Sequence, residues 1–298
     1  MNETLFRLRF CILVALLIFT LSIFIVPIIP GNQLGFVFGS GKVNNDGLLT
    51  VAFLDVGQGD AIYIKTPDGI QMLIDGGPDS SILRELGKQI PFWDRTIDVV
   101  LATHPDKDHI GGLVDVLARY EVANIVRTEN DSDTAVSSAF IFSSDEESAA
   151  LQTVKAGEVI KLGASTTLTI YSPTGDVSNW ESNTSSIVAK LKYGEIEFML
   201  TGDAPVGIED YLAKTYGREL KSEVLKLAHH GSKTSTGDAF LKSVAPELAV
   251  VSASLDNSYG HPHAEVIDRV ESKGIEVLST AKLGAIVFKS DGQRVWTE

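Results

Sequence analysis

Hydrophobic positions fall along this chain in two regimes. Residues 10–29, FCILVALLIFTLSIFIVPII, run for about 20 positions without a charge, the length that crosses a bilayer's hydrocarbon core. From Leu48 onward the apolar residues come in short bursts instead. LTVAFLDVG, AIYIKT and QMLIDGG are each bounded by Gly, Pro or Asp, which predicts strands. Residues 80–89 have helical spacing and lead to a fourth strand, IDVVLATH. GGLVDVLARY then predicts a helix, NIVRT a short strand, and SSDEESAALQTV a solvated helix opened by Ser143 or Ser144. In the second half TLTIYSP, VLKLAHHGS, LAVVSAS and GAIVFKS predict strands. SSIVAKLKYGEIEFMLTGD predicts a hairpin turning at Gly194, and helices fall near 205–216, 236–244 and 263–273. Each half places strands first and alternating strands and helices after, an order satisfied by two face-to-face sheets with helices outside: an α+β fold in four αββα layers.

The apolar start separates a membrane segment at 1–30 from a Gly- and Asn-rich linker at 31–47 and one folded domain at 48–298, with no boundary inside it. Arg7 and Arg9 precede the run, and Pro27, Pro30 and Gly31 follow it where a signal peptide would carry small residues for cleavage. The expectation is an uncleaved N-terminal transmembrane helix with the domain extracytoplasmic, the alternative being secretion after cleavage. The single cysteine, Cys11, lies in the apolar run, so no internal disulfide can brace the domain. A net charge of −14, from 25 basic and 39 acidic residues, opposes broad binding of polyanions. Any nucleic-acid substrate must be held by cations and a local patch.

All six histidines fall in three pairs beside Gly, Pro or Asp at predicted strand ends: His104 with His109, His229 with His230, and His261 with His263. In THPDKDHIGG the strand stops, Pro105 fixes the turn, and His104, Asp106, Asp108 and His109 are crowded enough to converge on two cations. Such a pair activates water and clamps a leaving oxygen. Gly111 and Gly112 let the next helix start close against that site. LTGD offers Asp203 at another strand end as a carboxylate suited to bridging two ions, and LAHHGS offers His229. Residues from distant parts of the sequence thus meet on loops at one edge of a scaffold.

Taken in order, FLDVGQGDA, LIDGG, THPDKDHIGG, LTGD, LKLAHHGS and YGHPH resemble the metallo-β-lactamase-fold domain of ComEC-type competence proteins. The resemblance covers nearly all of the chain beyond the linker. It implies an αββα sandwich with a binuclear centre and a hydrolase, most directly a phosphodiesterase or nuclease using metal-activated water. Carried over residue by residue, Asp108, His109, Asp203 and His229 hold one ion, while His104, Asp106 and the shared Asp203 hold the other. His230 or His261 then donates a proton or hydrogen bond to the substrate, and Asp108 is counted with the catalytic groups. An aspartate, Asp106, stands where the wider superfamily has its second histidine. The mid-chain histidine is missing, and Asn183 or Ser185 of SNTSSIV faces the site in its place. By ligand hardness this set admits manganese as well as zinc for the two divalent ions.

The resemblance further implies a phosphodiester substrate, single-stranded DNA among the candidates, while the membrane is contacted through the N-terminal helix and nothing calls for an obligate protein partner. One departure bears on function: ComEC-type proteins also carry a polytopic channel, and this chain has at most one membrane helix, so alone it is no DNA-uptake pore. The alternatives are hydrolysis of small or cell-wall-linked phosphoesters, which the acidic charge favours, and a non-catalytic extracellular scaffold. Asp55, Gln58 and Asp60 of DVGQGD either line the pocket or hold a turn. Asp75 is expected to brace a ligand from behind. Lys65, Lys226 and Lys233 are expected to be surface lysines.

Overall fold

The computed structural model describes residues 35–38, 47–147 and 149–298. The apolar run at 10–29 lies outside them, and among the described residues no helix is long and apolar enough to cross a membrane. Leu34–Glu298 forms one compact unit. In chain order its first half comprises β1 (Gly35–Phe38), β2 (Leu49–Phe53), β3 (Ile62–Lys65), β4 (Gln71–Ile74), α1 (Ser81–Gln89), β5 (Thr96–Ala102), α2 (Lys107–Leu117), β6 (Glu121–Arg127), α3 (Ala135–Glu146) and β7 (Ala150–Thr153). The second half continues with β8 (Val159–Leu162), β9 (Thr166–Ser172), β10 (Val188–Tyr193), β11 (Ile196–Leu200), α4 (Val206–Tyr216), β12 (Val224–Lys226), α5 (Asp238–Val244), β13 (Leu248–Val251), α6 (Ala264–Glu271), β14 (Glu276–Ser279), α7 (Thr280–Leu283), β15 (Ile286–Ser290) and β16 (Val295–Thr297).

These strands form two sheets, ordered β16-β15-β2-β3-β4-β5-β6-β7 and β1-β8-β9-β10-β11-β12-β13-β14. Side-chain alternation explains the layers. Odd positions of β2 (Leu49, Val51, Phe53) and even positions of β3 and β4 (Ile62, Ile64, Met72, Ile74) meet Leu168, Ile170, Leu191, Phe198 and Val224 of the other sheet. Their neighbours of opposite parity, Ala52, Tyr63 and Leu73, face outward, where Ile82 and Leu86 of α1 and Leu113 and Val116 of α2 cover them. On the far side Val188, Met199, Leu225 and Ala249 are covered by Leu212 of α4, Phe240 and Leu241 of α5 and Val270 of α6. Three apolar clusters between four layers are the predicted αββα sandwich.

Two sequence readings change. Residues 143–154 do not start a helix. α3 begins at Thr134, whose side chain accepts a hydrogen bond from the Ser137 N–H, and Ser144 sits in its last turn, donating to the Phe140 carbonyl. Residues 150–153 then pair parallel to β6 as an edge strand. The acidic run DEE is the solvated end of one element and not the start of another. Within the stretch read as linker, β1 pairs in parallel with β8. Gly194 turns the β10–β11 hairpin with φ +60°.

Parallel pairing sets where the chemistry falls. β4 runs parallel to β5, and β11, β12 and β13 run parallel to one another. The residues that follow Ile74, Ala102, Leu200, Lys226 and Val251 therefore emerge at carboxyl ends of neighbouring strands. The start of α2 is drawn tightly onto the loop after β4: a Cβ at Gly112 would lie 2.1 Å from the Gly76 carbonyl oxygen and one at Gly111 2.2 Å from that of Pro78. Only glycine permits this approach. It lets the Gly76 N–H reach the His109 carbonyl (2.7 Å) and the Asp60 N–H reach that of Asp108 (3.1 Å).

Candidate metal centre

Three histidines present the same ring nitrogen to one point. His109 Nδ1 lies 2.8 Å from Asp75 Oδ2, and a carboxylate can only accept there. His230 Nδ1 lies 2.9 Å from the Ser252 carbonyl, which again only accepts. His104 Nδ1 lies 3.0 Å from Thr103 Oγ1, and that hydroxyl spends its proton on Asp75 Oδ2 at 2.7 Å. In each case Nδ1 carries the proton, which leaves Nε2 as the group offered to the centre. All three Nε2 atoms are buried without a hydrogen-bond partner among the described residues, as are Asp203 Oδ1 and Asp60 Oδ1. A cluster of buried, oriented and unpaired donor atoms is the arrangement a cation satisfies.

Distances define the groups. His109 Nε2 is 3.3 Å from Asp203 Oδ1, and His230 Nε2 is 3.3 Å from Asp108 Oδ2 and 3.5 Å from Asp203 Oδ2. Ligand atoms of His104, His109 and Asp203 lie within 4.8 Å of one another, and so do those of Asp108, His109 and His230 and those of Asp60, Asp203 and His230. Asp203, its N–H donating to Ser186 Oγ at 3.2 Å, reaches toward both His104 and His230. Asp106 stands beside the centre: its carboxylate is 3.7 Å from His104 Nε2 and more than a third exposed.

His229 and His230 exchange the places expected from the sequence. His230 is buried among the candidate ligands, whereas His229 is partly exposed, with Nε2 3.8 Å from Asp203 and Nδ1 3.2 Å from Thr234 Oγ1. Both have left-handed backbones (φ 50° and 54°), as does Asp75 (φ 58°). Two left-handed non-glycine residues in succession are strained, and Gly231 follows them with φ +77°. His261 packs its ring 5.4 Å from that of His229. His263 precedes α6 and accepts a hydrogen bond from the Lys233 N–H through Nδ1. Asn183 Oδ1 is buried without a partner among the described residues, while Ser185 Oγ turns away to the Ser182 carbonyl.

Lys226 is a correction. It is no surface residue: it is fully buried at the end of β12, ion-paired with Asp60, donating to the Gly202 carbonyl at 3.0 Å and 3.7 Å from Asp203 Oδ1. The signal was its place between apolar neighbours in VLKLA, a buried strand in which a lysine needs a carboxylate partner. DVGQGD divides its labour. Asp55 accepts from the Gly57 N–H to close the turn, Gln58 accepts from Ser254 N–H, and Asp60 is buried in the centre.

Charge is shared strongly across this cluster. Burial opposes ionisation of His230, but Asp203, Asp60 and Asp108 overcome it and raise its pKa to about 9. His109 rises well above the ordinary value against the same burial, through Asp203 and Asp75. Asp203, despite burial, is held well below the usual carboxylate range by His230, His109 and Lys226. Burial likewise opposes ionisation of Asp60, yet Lys226 and His230 hold it down at about 2. The carboxylate neighbours of His109 and His230 thus favour the protonated form of both, and a cation held at Nε2 would compete with that proton. His229 and His261 go the other way. Burial lowers both, and the neighbouring histidines help hold His261 at about 4, so both rings are neutral at neutral pH.

The family model described as Metallo-beta-lactamase superfamily matches residues 54–254, which include Asp60, His104, His109, Asp203 and His230. The chain belongs to the metallo-beta-lactamase superfamily. It is 30% identical to ComE operon protein 3 of Bacillus subtilis over 80% of this chain and 33% of the relative. To Recombination protein 2 of Haemophilus influenzae it is 29% identical over 78% of this chain and 28% of the relative. These relatives are ComEC-type competence proteins, and the chain spans about a third of their length or less. Among solved structures, YhfI from Bacillus subtilis, a metallo-beta-lactamase fold protein, matches 83% of this chain and 99% of its own at 12% identity and a TM-score of 0.52. CmlA from Streptomyces venezuelae, a diiron beta-hydroxylase, matches 84% of this chain and 54% of its own at 14% identity and a TM-score of 0.53. These structures establish the fold; chemistry has to come from the site.

Proposed function

We propose that this domain is a phosphodiesterase dependent on two divalent cations, manganese serving at least as well as zinc. The observation that carries the proposal is the convergence of the unpaired Nε2 atoms of His104, His109 and His230 on Asp203, with Asp108 and Asp106 at the open side. Bound there, divalent cations would supply Lewis acidity at phosphorus and water acidic enough to attack near neutral pH. His109, His230, Asp108 and Asp203 would hold one of them, and His104 and Asp106 with Asp203 the other. With three carboxylates and no mid-chain histidine, the oxygen-rich set suits manganese.

The remaining residues act through their own atoms. Asp75 fixes the His109 ring, and the Ser252 carbonyl fixes that of His230, so neither ligand has to reorganise. Lys226 offsets one carboxylate charge and ties Asp60 to the backbone beside Asp203. Neutral His229 and His261 sit beside the ligands and offer ring N–H groups to the nonbridging or departing oxygens of a phosphodiester.

The test is a hydrolysis panel on the purified chain loaded with manganese or zinc: bis-p-nitrophenyl phosphate, p-nitrophenyl phosphorylcholine, a chromogenic lactam and single-stranded DNA. Cleavage of bis-p-nitrophenyl phosphate is expected. Cleavage of the choline ester alone would favour the small or wall-linked phosphoesters that the net charge of −14 suits. No turnover with either metal would leave a scaffold. We further propose that residues 10–29 anchor the domain outside the cytoplasm, on the strength of the uncharged run and the two arginines before it. Protease added to cells stripped of their outer layers should digest the domain; full protection would overturn that placement.

A further inference from the structure

Beside the proposed centre, on the side of His261, lies a cavity of about 150 Å³. Its walls are mostly apolar: Val251 at the end of β13, Ile267 of α6, Val277 of β14, and Pro262. It adjoins the centre through residues next to the ligands. A Cβ on Gly231, the residue after His230, would lie 2.6 Å from Pro262, and His261 lines the cavity while its ring packs against His229. Among the described residues His261 Nδ1 is buried with no hydrogen-bond partner. Leu255 of the lining is 73% exposed, and outside the lining Tyr259, 65% exposed, stacks on the His261 ring with centroids 5.7 Å apart and planes at 21°. Asn257 fixes this loop, accepting from the His261 N–H at 2.9 Å and donating to the His261 carbonyl at 2.6 Å. The lining carries one exposed carboxylate, Glu271, and one exposed ammonium, Lys282.

Size and chemistry together choose an occupant. An engineered apolar cavity of about 150 Å³ accepts one benzene ring, and this one, of similar volume but open to solvent on one side, matches a single six-membered ring. An apolar slot with an acceptor and a donor at its rim suits a flat heterocycle that has both an exocyclic amine and a carbonyl, because a carboxylate accepts from the amine of cytosine. The geometry points to a base-binding subsite: the cavity receives a single pyrimidine-type ring attached through its sugar to the phosphate held at the metal centre. This rests on the phosphodiesterase reading above and narrows its substrate to a pyrimidine-bearing nucleic-acid strand or nucleotide ester.

The test is calorimetric titration of the manganese-loaded full-length chain with cytidine 5′-monophosphate, adenosine 5′-monophosphate and ribose 5-phosphate. Wild-type protein should bind the cytidine nucleotide at least tenfold more tightly than ribose 5-phosphate and several-fold more tightly than the adenosine nucleotide. Ala281→Phe, at a partly buried position in the lining, should fill the cavity and abolish that preference while ribose 5-phosphate binding changes less than twofold. Val277→Phe, on β14 in the same lining, should do the same if Ala281→Phe fails to fold. Equal affinity for all three compounds, or a preference that survives both variants, would overturn the subsite. Hydrolysis of bis-p-nitrophenyl phosphate, followed in parallel, separates the two claims. A pyrimidine preference without hydrolysis sustains the subsite and removes the activity, whereas hydrolysis without the preference does the reverse.

Discussion

Replacing His230 and His229 separately by alanine asks which of two adjacent histidines belongs to the centre, and the structure assigns them opposite signs. His230 is 1% exposed, and its pKa is held at about 9 against an ordinary 6.5. In the metal-free protein that difference corresponds to about 3 kcal/mol of stabilisation by its carboxylate neighbours. Because the folded-state value is raised, the contribution is present in full below pH 6.5 and disappears as pH rises through about 9. His230→Ala should therefore cost about 3 kcal/mol more at pH 6 than at pH 10, the cost remaining at pH 10 being the lost packing and the bond to Ser252. His229 has a lowered pKa, chiefly from burial, so the fold favours its neutral form. His229→Ala should cost no more at pH 6 than at pH 10. Guanidinium unfolding of chelator-treated protein at the two pH values, followed by tryptophan fluorescence, reads both differences. Manganese titration of the same proteins should show affinity reduced at least tenfold in His230→Ala and by less than threefold in His229→Ala. Matching pH dependences in the two variants, or metal lost in His229→Ala and kept in His230→Ala, would refute the assignment.

Three further outcomes are expected. Asp203→Ala should lower hydrolysis by a factor on the order of 10² or more and reduce bound metal, since one carboxylate serves both groups of ligands; full activity in that variant would remove Asp203 from the centre. Apo protein reconstituted with manganese should be at least as active as with zinc, and strict zinc dependence would contradict the oxygen-rich ligand set. Glu209, buried on α4 and accepting from the Thr236 and Gly237 N–H groups, has its pKa pushed up to about 7 by burial. With the folded value raised, its contribution is complete below about 4.5 and is lost as pH climbs through 7. Glu209→Gln should accordingly reduce the fall in stability between pH 5 and pH 8 by about 2 kcal/mol, and an unchanged pH profile would rule the effect out.

What the sequence makes legible here follows from locality. Strands β2 to β5 and the β10–β11 hairpin are readable because apolar alternation and a turn glycine such as Gly194 act over a few residues. β7 is not readable, because ALQT becomes a strand only by pairing with β6 at a sheet edge, and nothing inside the tetrapeptide demands it. At the site, THPDKDHIGG and LTGD are visible because their side chains crowd within ten residues or stand at a strand end. The order of duties within His229-His230 depends on two left-handed backbones, which side-chain types do not encode. Lys226 needed its distant partner Asp60, across 166 positions of sequence, before a buried ammonium made physical sense.

The side chains of Asp108, His109, His230, His104, Asp106 and Asp203 are proposed to hold the catalytic cations. The most direct test is an anomalous difference map from crystals of the manganese-loaded chain, collected at the manganese edge. Two peaks are expected, one bounded by Asp108, His109 and His230, the other by His104 and Asp106, with Asp203 touching both. Peaks elsewhere in the chain, or none among these residues in crystals of protein that hydrolyses bis-p-nitrophenyl phosphate, would contradict that assignment.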